Sequence, residues 1–121
     1  MAIYDNLPVY KACYDLLIDA YDVCSRVNRE FKYTLGDKLK NDITDLMVCI
    51  YEANASHEKK SHLRNAKQLL IKVKIYIRLL HDLRQLSTRR LALLSDKAET
   101  VSKQLTAWYN SQKEKKNNNN D

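Results

Sequence analysis

The 121-residue sequence predicts an all-α fold, an up-down-up-down four-helix bundle, on three observations. The chain contains only one glycine and one proline, whereas a β-sheet protein needs more of both for its turns. Hydrophobic residues make up 45% of the sequence, which is enough for a globular core. Long segments repeat apolar residues every three or four positions, which is helical spacing, and short polar joints separate these segments.

The first two helices are separated by a break in this pattern. The first is predicted to begin at Pro8, because proline suits the first position of a helix, and to run to about Arg29. The segment NREFKYTLG then interrupts the periodicity. The second helix is predicted from about Gly36 to about Ala53.

The last two helices follow the polar joint NASHE. The third is predicted from about Glu58 to Leu86, and Ser87 is predicted to cap a fourth that continues to about Ser111. The bundle domain is therefore residues 1–111. The polar, low-complexity residues 112–121 are predicted to form a disordered tail.

Positive charge is concentrated in residues 59–90. That segment holds ten basic residues and one acidic residue, Asp82, a net charge of +9, while the rest of the chain carries −3. An ordinary solvated helix face would place acids three or four positions from its bases. The excess is instead typical of a surface that binds nucleic acid, or of one that binds an acidic partner protein. The predicted nucleic-acid-binding residues are Lys60, Arg64, Lys67, Lys74, Arg78, Arg84, Arg89 and Arg90.

On a helical wheel, the first five of these residues fall within a wedge of roughly 80° on the third helix. The apolar residues of that helix are predicted to lie on its other faces, and they cover more of its circumference than a monomeric bundle buries. The first helix has a similar apolar surplus rimmed by tyrosines, which is typical of a subunit interface. The alternative is that these tyrosines border a monomeric core with their hydroxyls in water. The predicted self-association residues are Tyr10, Tyr14, Ile18, Tyr21, Ile75, Leu79 and Leu86.

No pattern in the sequence predicts catalysis, a cofactor or a metal site. The segment HEKKSH differs from the zinc motif H-E-x-x-H, because His57 and His62 are five residues apart and roughly 140° apart on a helix. Cys13, Cys24 and Cys49 form no C-x-x-C pair, so they predict neither a zinc site nor a disulfide framework. No glycine-rich phosphate loop or nucleophile elbow occurs.

The sequence also lacks targeting and membrane signals. No apolar run reaches the roughly 18 residues that a membrane span needs, and no signal-peptide pattern opens the chain. We therefore expect a cytoplasmic protein that is not an enzyme.

Four segments together resemble a known family of four-helix bundles. They are LPVYKACYDLLIDAY, NREFKYTLGDKLKNDITDLMVCIYEAN, IRLLHDLRQLSTRR and VSKQLTAWYNS. The family includes proteins encoded in intervening sequences of bacterial 23S rRNA genes, and Avd, the accessory variability determinant of diversity-generating retroelements. The resemblance covers about residues 6–111. It is closer to the Avd-like branch, because NDITDLMVCIYEANAS lacks the proline and glycine of the other branch.

The resemblance implies a homopentameric barrel whose basic surface acts with a reverse transcriptase and its template RNA or cDNA. The importance of basic residues in the family carries over to Arg64, Lys67, Lys74, Arg78, Arg84, Arg89 and Arg90. The alternative is a protein–protein interaction module of the 23S rRNA intervening-sequence type, whose basic face binds an acidic partner.

Overall fold

Four long helices form the bundle in the computed structural model, which describes the backbone of residues 6–120 and side chains as far as Gln112. They are α1 (Pro8–Cys24), α3 (Asp37–Ala55), α4 (Lys60–Asp82) and α5 (Thr88–Asn120). A short helix α2 (Arg29–Phe31) and a π-helical turn (Lys32–Gly36) lead directly into α3. No strand occurs within the described residues. The prediction of an all-α four-helix bundle is confirmed.

The order of the helices around the bundle places α1 diagonally opposite α4. Helix α1 packs against α3 and α5, and α4 packs against the same two helices. Successive long helices are joined by short connections and contact each other, which is the up-down-up-down arrangement.

The core is entirely hydrophobic within the described part of the chain. Each long helix contributes a stripe of apolar residues at intervals of three and four, as its sequence predicts. The largest fully buried side chains are Leu16, Leu39, Ile43, Leu46, Ile50, Leu63, Val73, Ile77, Leu80, Leu94, Val101 and Leu105.

The connection between the first two long helices differs from the prediction. Helix α1 ends at Cys24 rather than near Arg29, and NREFKYTLG is mostly helical rather than a break. The π-turn explains the interrupted periodicity. In an α-helix of 3.6 residues per turn, residues spaced by four positions lie progressively further around the helix axis. A π-turn has more residues per turn, so residues with this spacing stay on one face. Half-buried Phe31 and Leu35 therefore reach the same core as fully buried Leu39.

Gly36 allows the π-turn to lie close against the end of α1. A Cβ atom at this position would lie 3.3 Å from the Phe31 carbonyl oxygen and 3.4 Å from Cys24 Sγ. The Cys24 thiol donates to the Gly36 carbonyl at 3.7 Å. The lone glycine of the sequence thus serves close packing rather than a turn.

The joint between α4 and α5 is a compact helix-to-helix turn that begins earlier than predicted. Helix α4 ends at Asp82, not Leu86. The Arg84 and Gln85 amides donate to the carbonyls of His81 and Leu80, at 2.9 and 2.8 Å, which is the Schellman pattern. Arg84 takes the left-handed position of that motif, with φ of 64°, where glycine is usual.

Helix α5 begins as predicted. The Arg90 amide donates to Ser87 Oγ at 3.1 Å, so Ser87 caps the helix. Its backbone continues to Asn120. The proposed boundary at residue 111 and the order of the tail stay predictions, because the side chains from residue 113 onward lie outside the described part.

Candidate nucleic-acid interface

The first two turns of α4 carry three basic side chains that surround Tyr109 of α5. Lys60 Nζ and Lys67 Nζ lie 5.7 and 4.7 Å from the centre of the Tyr109 ring. Arg64 Nη2 donates to the Tyr109 hydroxyl at 3.5 Å. We call these four residues the Tyr109 cluster. The wedge inferred from the wheel therefore faces the groove between α4 and α5.

The three cations of the Tyr109 cluster lack acidic neighbours among the side chains that the structure describes. No carboxylate of those residues comes within ion-pair distance of Lys60, Arg64 or Lys67. The first turn of α4 also contains no acidic residue, so no side-chain anion in that turn offsets the positive end of the helix dipole. Among the described side chains, this end of the groove therefore carries three positive charges without a neutralising carboxylate.

The second half of the wedge differs from the prediction that the basic residues lack neutralising acids. Lys74 Nζ lies 3.2 Å from Glu99 Oε2 of α5, and Arg78 Nε lies 3.2 Å from Asp82 Oδ1. Glu99 belongs to another helix, so a wheel of α4 alone could not reveal it. Both pairs are solvent-exposed and are therefore weak and screened by salt.

The joint after α4 places Arg84, Arg89 and Arg90 apart from the Tyr109 cluster, and one of them is paired. Arg90 Nη1 lies 3.1 Å from Asp22 Oδ2 of α1. The hydrogen bond from Arg90 and the nearby Arg26 guanidinium lower the pKa of Asp22 below its ordinary value of 3.8. The sequence therefore overestimates the charge that Arg90 can offer a ligand, while Arg84 and Arg89 are exposed.

Apolar and basic residues are interleaved along the second half of α4, contrary to the expectation that they occupy separate faces. Ile71, Ile75 and Leu79 are exposed there, and we call them the α4 strip. Together with Lys74 and Arg78 they line an open groove of about 440 Å³. This surface differs in character from the Tyr109 cluster, although both are on the same helix.

Lys59, which contributes to the charge excess, has a structural role. Its Nζ donates to the carbonyl oxygens of Ala53, Asn54 and Ser56 at 2.8, 3.3 and 2.7 Å. These carbonyls lie at the C-terminal end of α3, where a cation is favourable to the helix dipole. The ammonium group is thus engaged within the protein.

The predicted self-association residues fall into three groups. Tyr14, Ile18 and Tyr21 are exposed on α1, and we call them the α1 face. Tyr10 is half-buried against the core. Ile75 and Leu79 are exposed in the α4 strip.

Leu86, in contrast, is only 5% exposed and belongs to the core. Because α4 ends at Asp82, Leu86 follows the turn into the bundle instead of extending the outer face of the helix. Its assignment to an interface is wrong.

Two further apolar residues, Val48 and Tyr51 of α3, are exposed and were not predicted from the sequence. Helix α3 neighbours the α1 face, since Lys40 Nζ lies 4.7 Å from the centre of the Tyr21 ring. A helical wheel of α3 would have placed Val48 and Tyr51 on the outer side of that helix.

The histidines and cysteines form no metal site in the part of the chain that the structure describes, where no three metal-ligating side chains come together. Burial raises the pKa of Cys13 to about 12. It also raises the pKa of Cys24 and Cys49. The thiols are therefore poor nucleophiles at neutral pH.

None of the helices, as far as they are described, combines the length and apolarity needed to cross a membrane.

Comparison with known proteins agrees with the resemblance in sequence. No curated protein matches the chain. The model of the bAvd-like family matches residues 8–112, from the start of α1 into α5. The chain therefore belongs to the bAvd-like family, the Avd-like family of four-helix bundles.

Proposed function

We propose that this protein is a non-enzymatic accessory protein that binds RNA or DNA along the α4–α5 groove and assists a reverse transcriptase. The observation that supports it best is the Tyr109 cluster, where three cations share one surface without a described carboxylate. Each phosphate that such cations neutralise releases counterions from the nucleic acid, which gives affinity without base readout. A reverse transcriptase is proposed as the partner because the Avd branch of the family acts with a reverse transcriptase.

A salt titration tests the electrostatic part of this proposal. Three phosphate contacts per protomer give a slope of log affinity against log salt of about −2.7 on duplex DNA. We expect binding of generic RNA or DNA at about 50 mM salt and steep weakening by about 200 mM. Absence of binding at the lower salt would reject the nucleic-acid function.

A matched pair of variants tests the location of the binding surface. Lys60, Arg64 and Lys67 are replaced together by glutamate, which should abolish binding while the helix content stays unchanged. The control replaces Arg26, Arg29 and Lys38 by glutamate, three exposed cations outside both α4 and α5, and alters net charge equally. Equal loss in both variants would assign the affinity to net charge and not to the groove.

We propose further that the protein self-associates through the α1 face and the α4 strip. These surfaces lie on diagonally opposite helices, and both are apolar. Both borders carry charges of either sign, Lys11 and Asp15 beside the α1 face and Lys74, Arg78 and Asp82 beside the α4 strip, so ion pairs can form between the two surfaces. Two different complementary surfaces give head-to-tail contacts that can close into a ring, and the family resemblance implies five subunits.

Light scattering on two surface variants tests this assembly. The wild type should have about five times the protomer mass of 14.2 kDa. Ile18→Lys and Ile75→Asp should each be monomeric, and their mixture should form a dimer, because each retains one intact surface. Leu93→Asp, an exposed leucine of α5 outside both surfaces, is the control and should leave the assembly unchanged. A wild-type mass of one protomer would refute the proposal.

The alternative function is docking of an acidic partner protein on the basic side of α4, at the open groove lined by the α4 strip. Its specific support is the interleaving of Ile71, Ile75 and Leu79 with Lys74 and Arg78, since protein interfaces combine apolar and charged contacts. The salt titration with nucleic acid separates the two functions, because only the first requires phosphate binding.

A further inference from the structure

The Tyr109 cluster differs from every other basic part of the groove in how its cations are held. Lys74 and Arg78 are held by the carboxylates of Glu99 and Asp82. The cations of the cluster are gathered instead by an uncharged aromatic side chain. A phenol ring attracts ammonium groups through its face and offers its hydroxyl to a guanidinium, but it neutralises no charge.

Three like charges at this spacing repel one another. Lys60, Arg64 and Lys67 are four and three residues apart on one face of α4, positions at which like charges destabilise a helix. Tyr109 offsets part of that repulsion while leaving the full charge available. Among the described side chains, no carboxylate pairs with these three cations, so an anion that binds them displaces none of those carboxylates.

We propose that Tyr109 arranges Lys60, Arg64 and Lys67 into an anchor site for a phosphate group of the bound nucleic acid. This inference rests on the proposed function and adds that the site is preorganised. Both lysine ammonium groups lie within cation–π distance of the ring, and the hydroxyl accepts a hydrogen bond from Arg64, so one side chain contacts all three cations. Restricting side chains before binding reduces the entropy that is lost when the ligand arrives.

The anchor gives Tyr109 an effect that net charge does not predict. Tyr109→Leu leaves every cation in place, so the number of neutralised phosphates and the salt slope should stay the same. Affinity for an RNA oligomer should nevertheless fall about fivefold to tenfold, because the cations are no longer arranged. Lys67→Gln, in contrast, should make the slope shallower by about 0.7 on single strands or about 0.9 on duplex.

Two further variants separate the anchor from general effects of tyrosine loss. Tyr109→Phe keeps the ring beside the two lysines and removes only the hydroxyl, so its affinity should fall about twofold to threefold. It also serves as the test variant if Tyr109→Leu does not fold, as judged by circular dichroism. Tyr33→Leu removes a tyrosine that is 66% exposed and remote from the groove, and binding should be unchanged.

Inorganic pyrophosphate tests the anchor without nucleic acid. Titration into the ¹⁵N-labelled protein should shift the amide resonances of residues 60–67 and 109 in a saturable manner, and Lys67→Gln should abolish the shifts. Saturable pyrophosphate binding without any RNA or DNA binding would keep the anchor and reject the nucleic-acid function. Equal RNA binding by the wild type, Tyr109→Leu and Tyr109→Phe would overturn the anchor and keep the nucleic-acid function. A shallower salt slope for Tyr109→Leu than for the wild type would have the same meaning.

Discussion

Glu99 limits the charge of the groove, and its removal should strengthen nucleic-acid binding. In the wild type, Lys74 Nζ lies 3.2 Å from Glu99 Oε2, so a phosphate at Lys74 must compete with a carboxylate of the same protein. Glu99→Gln keeps the size of the side chain and removes its charge. Lys74 then becomes available for a further phosphate contact in each protomer.

The size of the effect follows from counterion release. One added contact makes the slope of log affinity against log salt steeper by about 0.9 on duplex DNA. Such a contact corresponds to binding that is about tenfold tighter at 50 mM salt and about threefold tighter at 200 mM. The cost in stability should be below about 1 kcal/mol, because both side chains of the pair are exposed.

Fluorescence anisotropy with a labelled duplex, measured over a range of salt concentrations, gives both the affinity and the slope. Glu52→Gln is the matched control, because it changes net charge equally on the exposed outer side of α3. A gain of equal size in both variants would show that only total charge matters. If Glu99→Gln binds no more tightly than the wild type, Lys74 does not contact the ligand and the groove ends at the Tyr109 cluster.

Three further predictions concern stability. Arg84→Gly should raise the free energy of unfolding by about 0.5–1 kcal/mol and the Tm by about 2–5 °C, because glycine removes the strain at φ of 64°. Lys103→Gly, an exposed position in the interior of α5, should instead lower the free energy of unfolding by about 1 kcal/mol. Lys59→Met should lower the free energy of unfolding, measured by urea denaturation, by about 1–2 kcal/mol, because three carbonyl groups lose their hydrogen-bond donor. An equal loss with Lys72→Met, at an exposed position of α4, would contradict this explanation. Asp22 contributes stability that is present above its ordinary pKa of 3.8 and is lost as the pH falls through its lowered folded value. Thermal melts from about pH 5 to about pH 2 should therefore show a smaller loss for Asp22→Asn than for the wild type.

The sequence predicted what depends on single helices and missed what depends on neighbours. Apolar spacing located four helices and most of their buried faces, and Ser87 was correctly identified as a cap. The π-turn was missed because its interrupted periodicity resembles a loop. Leu86 was misplaced for a related reason, since α4 ends at Asp82 through a Schellman turn that contains no glycine.

The partners across the α4–α5 groove could have been found from the joint. Arg64 with Tyr109 and Lys74 with Glu99 are pairs of different separation, 45 and 25 residues. Both pairs are centred on the bond between Leu86 and Ser87. Two antiparallel helices keep this register along their length, so locating the turn also identifies the residues that face each other.

That register explains why net charge alone gives an incomplete account of the basic segment. A count of residues 59–90 treats all ten cations as equivalent, yet Lys59 holds the end of α3 and Lys74, Arg78 and Arg90 face carboxylates. Opposite the first turns of α4, the same register places Tyr109, which gathers cations without neutralising them. The affinity of the groove should therefore depend on which residue of α5 lies opposite each base more than on the number of bases.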